Sequence, residues 1–381
     1  MVGDSQRTRV VCSVRLAKLL SLGIRADAVF SLRLTERPMP TGSRDTGVLL
    51  DWILDSMGLV RRSGGDETSA LHRIMREALL PYPLRGWDSK QIGDQTGLSN
   101  TGIHHQMTKL RECGLVTTQV DGKWHRYILR GGSMTAAASL VESQAIAILR
   151  LRLSELSEMV EPSDTRMAIE AEGGNEPFSI SIAEPGPIEG EAGNYALVRD
   201  LGLAGEGQRA GAGLAHAILM ELCSSHHPIT LLALSERLSD SRGKVSTAVD
   251  RMRSAGLVER APMVDRIPLD VFAGLVRQFD ARGEDWLMSR GGLGRLEDSV
   301  SKGLVEGARN GSLDIDGVAG ILAPVPIEDQ RVLLNTLGGR LPFGFRIAGA
   351  DGESLSTRVM RVADRTLRRI RTVASRLDDS L

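Results

Sequence analysis

The chain has few of the features that mark secreted or membrane-spanning proteins. Its three cysteines, Cys12, Cys113 and Cys223, stand more than 100 residues apart. That spacing gives neither a disulfide framework nor a zinc motif, and it fits a reducing cytosol. The sequence opens without an apolar signal core, and no run of about 18 uncharged apolar residues could cross a bilayer. We therefore expect a cytoplasmic protein without a membrane partner.

Aromatic residues and net charge are also low, at 3% and −1. The core must therefore be built from aliphatic side chains. With 381 residues, of which 41% are hydrophobic, the chain is long enough for two or three globular domains. Because its overall charge is almost neutral, binding to nucleic acid would have to depend on a local basic patch.

A helix, a turn, a second helix and a hairpin follow one another before residue 131. Ile103, Met107 and Leu110 share one face of a helix, with Ser99 placed to cap its start and Gly114 to end it. A shorter helix and a glycine turn precede it in "WDSKQIGDQTGLS". Two strands follow, "LVTTQV" and "KWHRYIL", joined by an Asp-Gly turn.

This order of elements resembles the winged helix-turn-helix superfamily, in particular the ArsR- and MarR-like transcription regulators. The resemblance covers residues 71–130 and depends mainly on "QIGDQTGLSNTGIHHQMTKLRECGLV". It implies that the second helix enters the major groove of DNA and that the hairpin, or wing, lies beside the phosphate backbone.

The tripeptide Gly-Leu-Val that follows this helix occurs four times in the chain. The shift along the sequence that moves Gly114 to Gly256 also moves Ser99 to Ser241, and every core position of the helix again receives an apolar residue. We interpret this match as a second winged unit. The same register fails from Gly58 and from Gly303, which we expect to end ordinary helices. A degenerate third unit at the N-terminus stays open as an alternative.

The candidate DNA contacts are the outward positions of the two reading helices and the first wing. Residues Ser99 to Arg130 carry a net charge of +3, whereas the second wing, predicted in "VERAPMVDRIPLD", has two prolines and no basic excess. The first unit is therefore the predicted main reader. The candidates are Asn100, Thr101, His104, His105, Thr108 and Lys109 in the first reading helix, Lys123, His125 and Arg126 in its wing, and Arg242 and Lys244 in the second unit.

Alternating apolar residues in "RMAIEAEGGNEPFSISIAE" predict a hairpin. One face of that hairpin would carry Met167, Ile169, Phe178, Ile180 and Ile182. The following "PGPIEGEAGN" reads as a linker.

Two long helices are predicted, at residues 136–160 and from Ser354 to about Leu377. Apolar residues at steps of three or four are typical of helices that pair, and the last helix also has a basic face. Packing within the chain and pairing with a second chain are both compatible with this pattern. We expect a homodimer through these seams, since paired half-sites raise affinity for DNA.

The expected fold class is mainly α with small β-wings, built as tandem winged helix-turn-helix units plus long helices. Seven segments follow. They are an N-terminal helical segment (1–65), the first winged unit (66–135), a long helix (136–161), a hairpin with an acidic linker (162–205), the second winged unit (206–275), a mixed helical region (276–352) and a basic amphipathic helix (353–381).

The resemblance implies a transcription regulator that binds double-stranded DNA. No Ser-His-Asp, paired-carboxylate or phosphate-loop arrangement stands out in the sequence, so we expect no cofactor, metal or enzymatic activity. A partial dinucleotide motif, Gly205-x-Gly207-x-x-Ala210, lacks the preceding strand that such a site needs. Cys223 with the adjacent histidines lacks further metal ligands. The alternatives are an architectural protein of chromosome maintenance or replication, a winged-helix scaffold that binds proteins, and an enzyme with appended winged helices. The sequence names no effector.

Overall fold

The computed structural model describes residues 29–60, 69–121, 124–167, 169–172, 177–186, 195–205 and 209–381. Within these ranges the chain is mainly helical and has three two-stranded sheets, which confirms the expected fold class at this level. The strands are β1 (Ser31–Thr35), β2 (Val116–Asp121), β3 (Trp124–Leu129), β4 (Ser179–Ala183), β5 (Val258–Pro262) and β6 (Phe343–Ile347).

The helices are named in chain order. They are α1 (Thr46–Ser56), α2 (Ala70–Ile74, continued by a π-helical turn over Met75–Leu79), α3 (Ser89–Thr96), α4 (Asn100–Glu112), α5 (Met134–Met159), α6 (Ala196–Asp200), α7 (Arg209–Ser224), α8 (Leu231–Arg237), α9 (Arg242–Ser254), α10 (Ile267–Arg282), α11 (Glu284–Ser289), α12 (Asp298–Asn310), α13 (Ile315–Leu322), α14 (Ile327–Thr336) and α15 (Gly352–Asp378).

The chain forms two compact bodies. Body 1 contains the described residues up to Ile148, together with Ser181–Gly186 and Asp364–Leu381. Body 2 contains the described parts of Leu149–Ile180 and Pro187–Ala363. The long helices α5 and α15 each contribute one end to body 1 and the other end to body 2.

The same series of elements occurs twice, and we call the two occurrences repeat 1 (β1 to α5) and repeat 2 (β4 to α15). Helices α4 and α9 have the same length and begin at Asn100 and Arg242, in the register that the sequence predicts. Both begin with a serine cap, in which Ser99 Oγ accepts from the Gly102 N–H at 3.3 Å and Ser241 Oγ from the Lys244 N–H at 3.4 Å. Capping serines satisfy N–H groups that the helix itself leaves unpaired.

The turn before each of these helices shows the same backbone geometry. Gly97 has φ +66°. Its equivalent, Ser239, has φ +52° and is the sole non-glycine residue with positive φ in the part of the chain that the structure describes. A side chain in the left-handed region costs about 1–2 kcal/mol, so repeat 2 keeps the turn at an energetic cost.

A third strand-like contact is also duplicated. Trp87 bridges Tyr127 in β3, and its equivalent in the same register, Ile229, bridges Phe345 in β6. In both repeats the residue before the N-cap of the shorter helix therefore pairs with the second strand of the two-stranded sheet.

The repeats diverge between the two strands of that sheet. β2 and β3 pair antiparallel across a two-residue connection, with Val116 opposite Leu129. β5 pairs antiparallel with β6, and Val258 stands opposite Ile347. The first strands, β2 and β5, keep the sequence offset that relates α4 to α9, whereas the second strands, β3 and β6, are further apart in sequence. Repeat 2 therefore carries a long insertion between β5 and β6.

These inserted residues fold around a core of their own. The region of helices α10 to α14 buries thirteen hydrophobic residues in one cluster, among them Leu275, Leu304 and Leu334. Our prediction of a local wing in "VERAPMVDRIPLD" is therefore wrong in its second half. After β5, Val264–Arg266 forms a 3₁₀ turn and α10 begins at Ile267, with proline in its first turn, where the missing N–H costs nothing.

The two long helices lie where the sequence predicts them, at α5 and α15. Their apolar faces are buried within the chain. Leu153 and Leu156 in α5 are 1% and 0% exposed, and Ile370 and Val373 in α15 are 3% and 0% exposed. These are the faces that we had assigned to a seam with a second chain. A homodimer would therefore have to use another surface, because these side chains are already covered.

Two sequence predictions near the chain's first strand are wrong. The N-terminal segment, residues 1–65, was expected to be helical; Thr46–Ser56 is a helix, but Ser31–Thr35 is a strand, and residues 1–28 lie outside the described ranges. The described residues of "RMAIEAE" contain no strand, β4 pairs with β1 instead, and the turn of the expected hairpin, residues 173–176, lies outside the described residues. Phe178, Ile180 and Ile182 are buried as expected, whereas Met167 is 41% exposed.

Two buried arginines organise body 2. Arg346 forms an ion pair with Glu259 at 2.8 Å and donates to the carbonyl of Arg166. The Arg166 guanidinium is 1% exposed, and burial lowers its pKa. Instead of a carboxylate it binds five backbone carbonyls, those of Glu161 (2.9 Å), Cys223 (3.4 Å), Ser225 (2.9 Å), Gly349 (3.3 Å) and Ala350 (3.2 Å).

Within the part of the chain that the structure describes, one helix, α5, is long and apolar enough by composition to cross a membrane. In its most apolar window 44% of the residues are buried inside the chain. Core helices of water-soluble proteins meet the same criterion, so this feature does not decide where the protein resides.

Candidate nucleic-acid interface

The surface of α4 separates into a buried face and an outward face, as the sequence pattern predicts. Ile103, Met107 and Leu110 are fully buried. Asn100, Thr101, His104 and His105 are all exposed and cover the first half of the helix. The structure therefore brings these four candidates together at the end of the helix that enters a groove in helix-turn-helix proteins.

The two remaining candidates on α4 are less available. Thr108 is half-buried, and its hydroxyl donates to the His104 carbonyl at 2.9 Å. Back-bonding of this kind occupies the hydroxyl hydrogen within the helix. Lys109 is also half-buried and lies in the last turn, where a positive charge complements the helix dipole.

A glycine in α3 fixes how closely the two helices cross. A Cβ at Gly93 would lie 3.3 Å from the Leu98 carbonyl oxygen, a tight contact, and 3.4 Å from Ile103 Cδ1, at van der Waals distance. The start of α3 is held by a reciprocal capping box between Asp88 and Gln91. Gly93 is a positioning residue that sequence reasoning missed, because a glycine inside a short helix gives no signal about the helix that it faces.

The β2–β3 hairpin stands beside α4 and is anchored by Trp87. The Trp87 N–H donates to the Tyr127 carbonyl at 2.9 Å, and the Tyr127 N–H donates back at 2.7 Å. The indole N–H donates to the Tyr82 carbonyl at 3.2 Å, and Trp87 is 1% exposed. The buried Trp87 thus attaches the hairpin to the rest of repeat 1.

Two of the three wing candidates can be placed. His125 and Arg126 are exposed on β3, whereas Lys123 lies outside the described residues. The aliphatic part of Arg126 runs beside Gly86, where an added Cβ would lie 3.4 Å from Arg126 Cδ. Gly86 also has φ +71°, a backbone conformation that glycine adopts most readily.

A further cation lies next to the wing and was not among the sequence candidates. The Arg85 guanidinium sits 4.4 Å from the centre of the Trp87 ring, and the Arg85 side chain is exposed. Stacking on an aromatic ring holds an arginine in place without a carboxylate and leaves its charge available to an anion. The only sequence signal was a basic residue before the tryptophan, which does not reveal the stacking.

The corresponding surface of repeat 2 carries different chemistry. Arg242 and Lys244 are exposed at the start of α9, as predicted. The Lys244 ammonium, however, lies 3.1 Å from Asp240. The Ser241 backbone N–H, with Lys244, lowers the pKa of Asp240, which therefore stays ionised and compensates the lysine charge.

An acidic residue also stands on the outward face of α9. Asp250, the equivalent of Thr108, is exposed and lies 3.4 Å from Arg253. A carboxylate on this face repels phosphate and can only accept hydrogen bonds from bases. Among its described residues, repeat 2 also has no short hairpin after α9, because the chain between β5 and β6 forms α10 to α14 instead of a two-residue turn.

No protein-family model matches the chain, and no curated protein or solved structure is significantly similar to it. The functional argument therefore depends on the residues and geometry described above.

Proposed function

We propose that the chain is a DNA-binding transcription regulator in which a winged helix-turn-helix unit in repeat 1 reads the DNA. The observation that carries the proposal is the exposed row of Asn100, Thr101, His104 and His105 on the first half of α4. This helix is capped and packed on α3 and stands beside a two-stranded wing. An α-helix fits the major groove, where asparagine pairs with adenine and threonine contacts the thymine methyl group.

The charge around the wing supports the same proposal. Arg126 on β3 and Arg85, stacked on Trp87, are both exposed. They are close together, because Arg85 precedes Gly86 in the chain and the side chain of Arg126 runs beside Gly86. Cations at this position suit phosphate or minor-groove contacts, which supply most of the affinity for DNA without reading its sequence. Reading and positioning are thus assigned to different side chains of repeat 1.

Selection of binding sites from random duplexes with the purified full chain tests the proposal. We expect one short motif to be enriched, and we expect its enrichment to be lost with Asn100→Ala. Asn335→Ala is the matched control, because Asn335 is also an exposed asparagine on a helix but lies in the inserted region. Failure to enrich any motif, together with no binding of bulk DNA at low salt, would refute the proposal.

A protein-binding role for repeat 2 is the second candidate, and one observation favours it. The segment inserted between β5 and β6 forms a helical region with its own core at the place where repeat 1 carries its wing. This agrees with one of the alternatives from the sequence, a winged-helix scaffold that binds proteins and therefore needs no basic wing. Deleting residues 265–341 with a short connector should then leave DNA affinity unchanged while removing binding to the partner.

A further inference from the structure

Each repeat ends in a long helix, and the ends of the two helices exchange contacts. At the start of α5, the N–H groups of Met134 and Thr135 donate to the Asp378 carboxylate near the end of α15, at 3.0 and 2.8 Å. Conversely, Gly352 at the start of α15 packs on Ser157 near the end of α5, where a Cβ would clash with the serine backbone. The start of each helix therefore lies against the end of the other.

This reciprocal exchange is the pattern that a two-fold homodimer of a single repeat would show. In such an isologous interface, residue i of one copy contacts residue j of the other, and j contacts i. Met134 and Gly352 are equivalent positions, in the same register that relates Leu129 in β3 to Ile347 in β6. The equivalent strands β1 and β4 pair with each other as well.

The surfaces that would pair two chains are therefore occupied inside one chain. Leu153, Leu156, Ile370 and Val373 are all buried in the isolated chain. A helix-turn-helix protein with one reading helix needs a second copy to cover two half-sites. Here the second reading helix is already part of the same polypeptide.

The two reading helices are not equivalent in chemistry. Asn100 and Thr101 are replaced in repeat 2 by Arg242 and Gly243, and an exposed acid, Asp250, stands on the face of α9. A homodimer reads one sequence twice and prefers an inverted repeat. Two different helices do not impose that symmetry on the DNA.

We infer that one chain, without a second copy, binds a directional DNA element that contains a single base-specific core and no inverted repeat. This inference rests on the proposed function and specifies its substrate class. The core is read by α4, while Arg242 in repeat 2 adds affinity without base preference, since an arginine at a helix start can bind phosphate regardless of sequence.

The test combines the mass of the full chain, alone and on DNA, with the form of the selected motif. Analytical ultracentrifugation should show a monomer at micromolar concentration and one chain per duplex that carries the motif. Selection from random duplexes should return one asymmetric core. A dimeric free chain, two chains per motif or a palindromic motif would each overturn the inference.

Matched alanine variants separate the two helices. Asn100→Ala should weaken binding to the selected duplex by about tenfold or more and leave binding to a motif-free duplex unchanged. Arg242→Ala should weaken binding to both duplexes by the same factor. A change of the preferred sequence in the Arg242 variant would show that repeat 2 reads bases and would overturn the inference.

The outcomes also distinguish this inference from the proposed function. A chain that binds no DNA at low salt refutes the proposed function, while its mass in solution still tests the internal pairing of the two repeats. A monomer, or a dimer that does not cross-link through α5 and α15, would then support internal pairing, and a dimer cross-linked between copies through these two helices would overturn it.

Discussion

Replacing Arg166 by methionine should destabilise body 2 far more than its position in a loop suggests. The guanidinium is buried and donates to five backbone carbonyls, at 2.9 to 3.4 Å, which belong to the segments after α5, around the end of α7 and before α15. Methionine fills a similar volume but leaves these carbonyls without their donor. Removing a buried charged hydrogen-bond partner costs about 3–5 kcal/mol.

For a body of this size, about 4 kcal/mol corresponds to a fall of roughly 10 °C in Tm. Differential scanning calorimetry should show the fall in the transition of body 2. Arg166→Lys should recover little of it, because three donors on one ammonium cannot reach five separated carbonyls. The exposed Arg340 supplies the control, and Arg340→Met should move Tm by less than about 2 °C. An equally small shift for Arg166→Met would show that the carbonyl cluster does not hold these segments together.

Three further outcomes follow from local geometry. Ser239→Gly should raise the free energy of unfolding by about 0.5–1 kcal/mol and Gly97→Ala should lower it by about 1–2 kcal/mol, because both positions have positive φ; denaturant titration that gave the opposite signs would contradict the shared turn. Burial raises the pKa of the Cys113 and Cys223 thiols to about 12. In a Cys12→Ser background, which removes the third thiol, both should therefore react slowly with a thiol reagent at pH 8, about tenfold faster per pH unit toward pH 12 and at once in denaturant; fast reaction of this native variant at pH 8 would disprove their burial. Asp378→Ala should lower the stability of body 1 by about 1–2 kcal/mol, since the carboxylate caps the start of α5, and unchanged thermal unfolding would argue against the reciprocal helix ends.

The parts of the fold that the sequence predicted are those governed by neighbouring residues. The serine caps of α4 and α9, the glycines that end them and their buried faces all follow from spacing within one helix. The register between the repeats is kept because the stretch from Trp87 to Gly114 and the stretch from Ile229 to Gly256 differ by no insertion. Local rules therefore located both α4 and α9 and the exposed residues of α4.

The parts that could not be predicted depend on contacts between distant segments. An alternating strand pattern shows that β4 has a buried face but does not reveal that its partner is β1. Likewise the sequence of β5 gives no indication that its partner strand begins at Phe343. The helices between the two strands have no pattern that marks them as an insertion. Nothing in the sequence distinguishes Arg166 from other arginines, because only the folded chain brings its five carbonyls together.

The sequence predicted the exposed residues of the candidate site but not the residues that position them. Asn100, Thr101, His104 and His105 were identified from the helical register. Gly93, Gly86 and Arg85 were missed because each acts through a side chain or backbone from another element. Such contacts have no signature in a single sequence.

The most direct test of the central claim is the salt dependence of DNA affinity for a reading variant and a positioning variant of repeat 1. Asn100→Ala should cost about 1–3 kcal/mol on the selected duplex and nothing measurable on random duplex, because it removes a base contact. Arg126→Ala should weaken both by the same amount and lower the slope of log K against log salt by about one, because one fewer counterion is released. If both variants bind like wild type while Arg242→Ala or Lys244→Ala abolishes binding, repeat 2 is the reader; if none of the four changes binding, the claim that these helices read DNA is wrong.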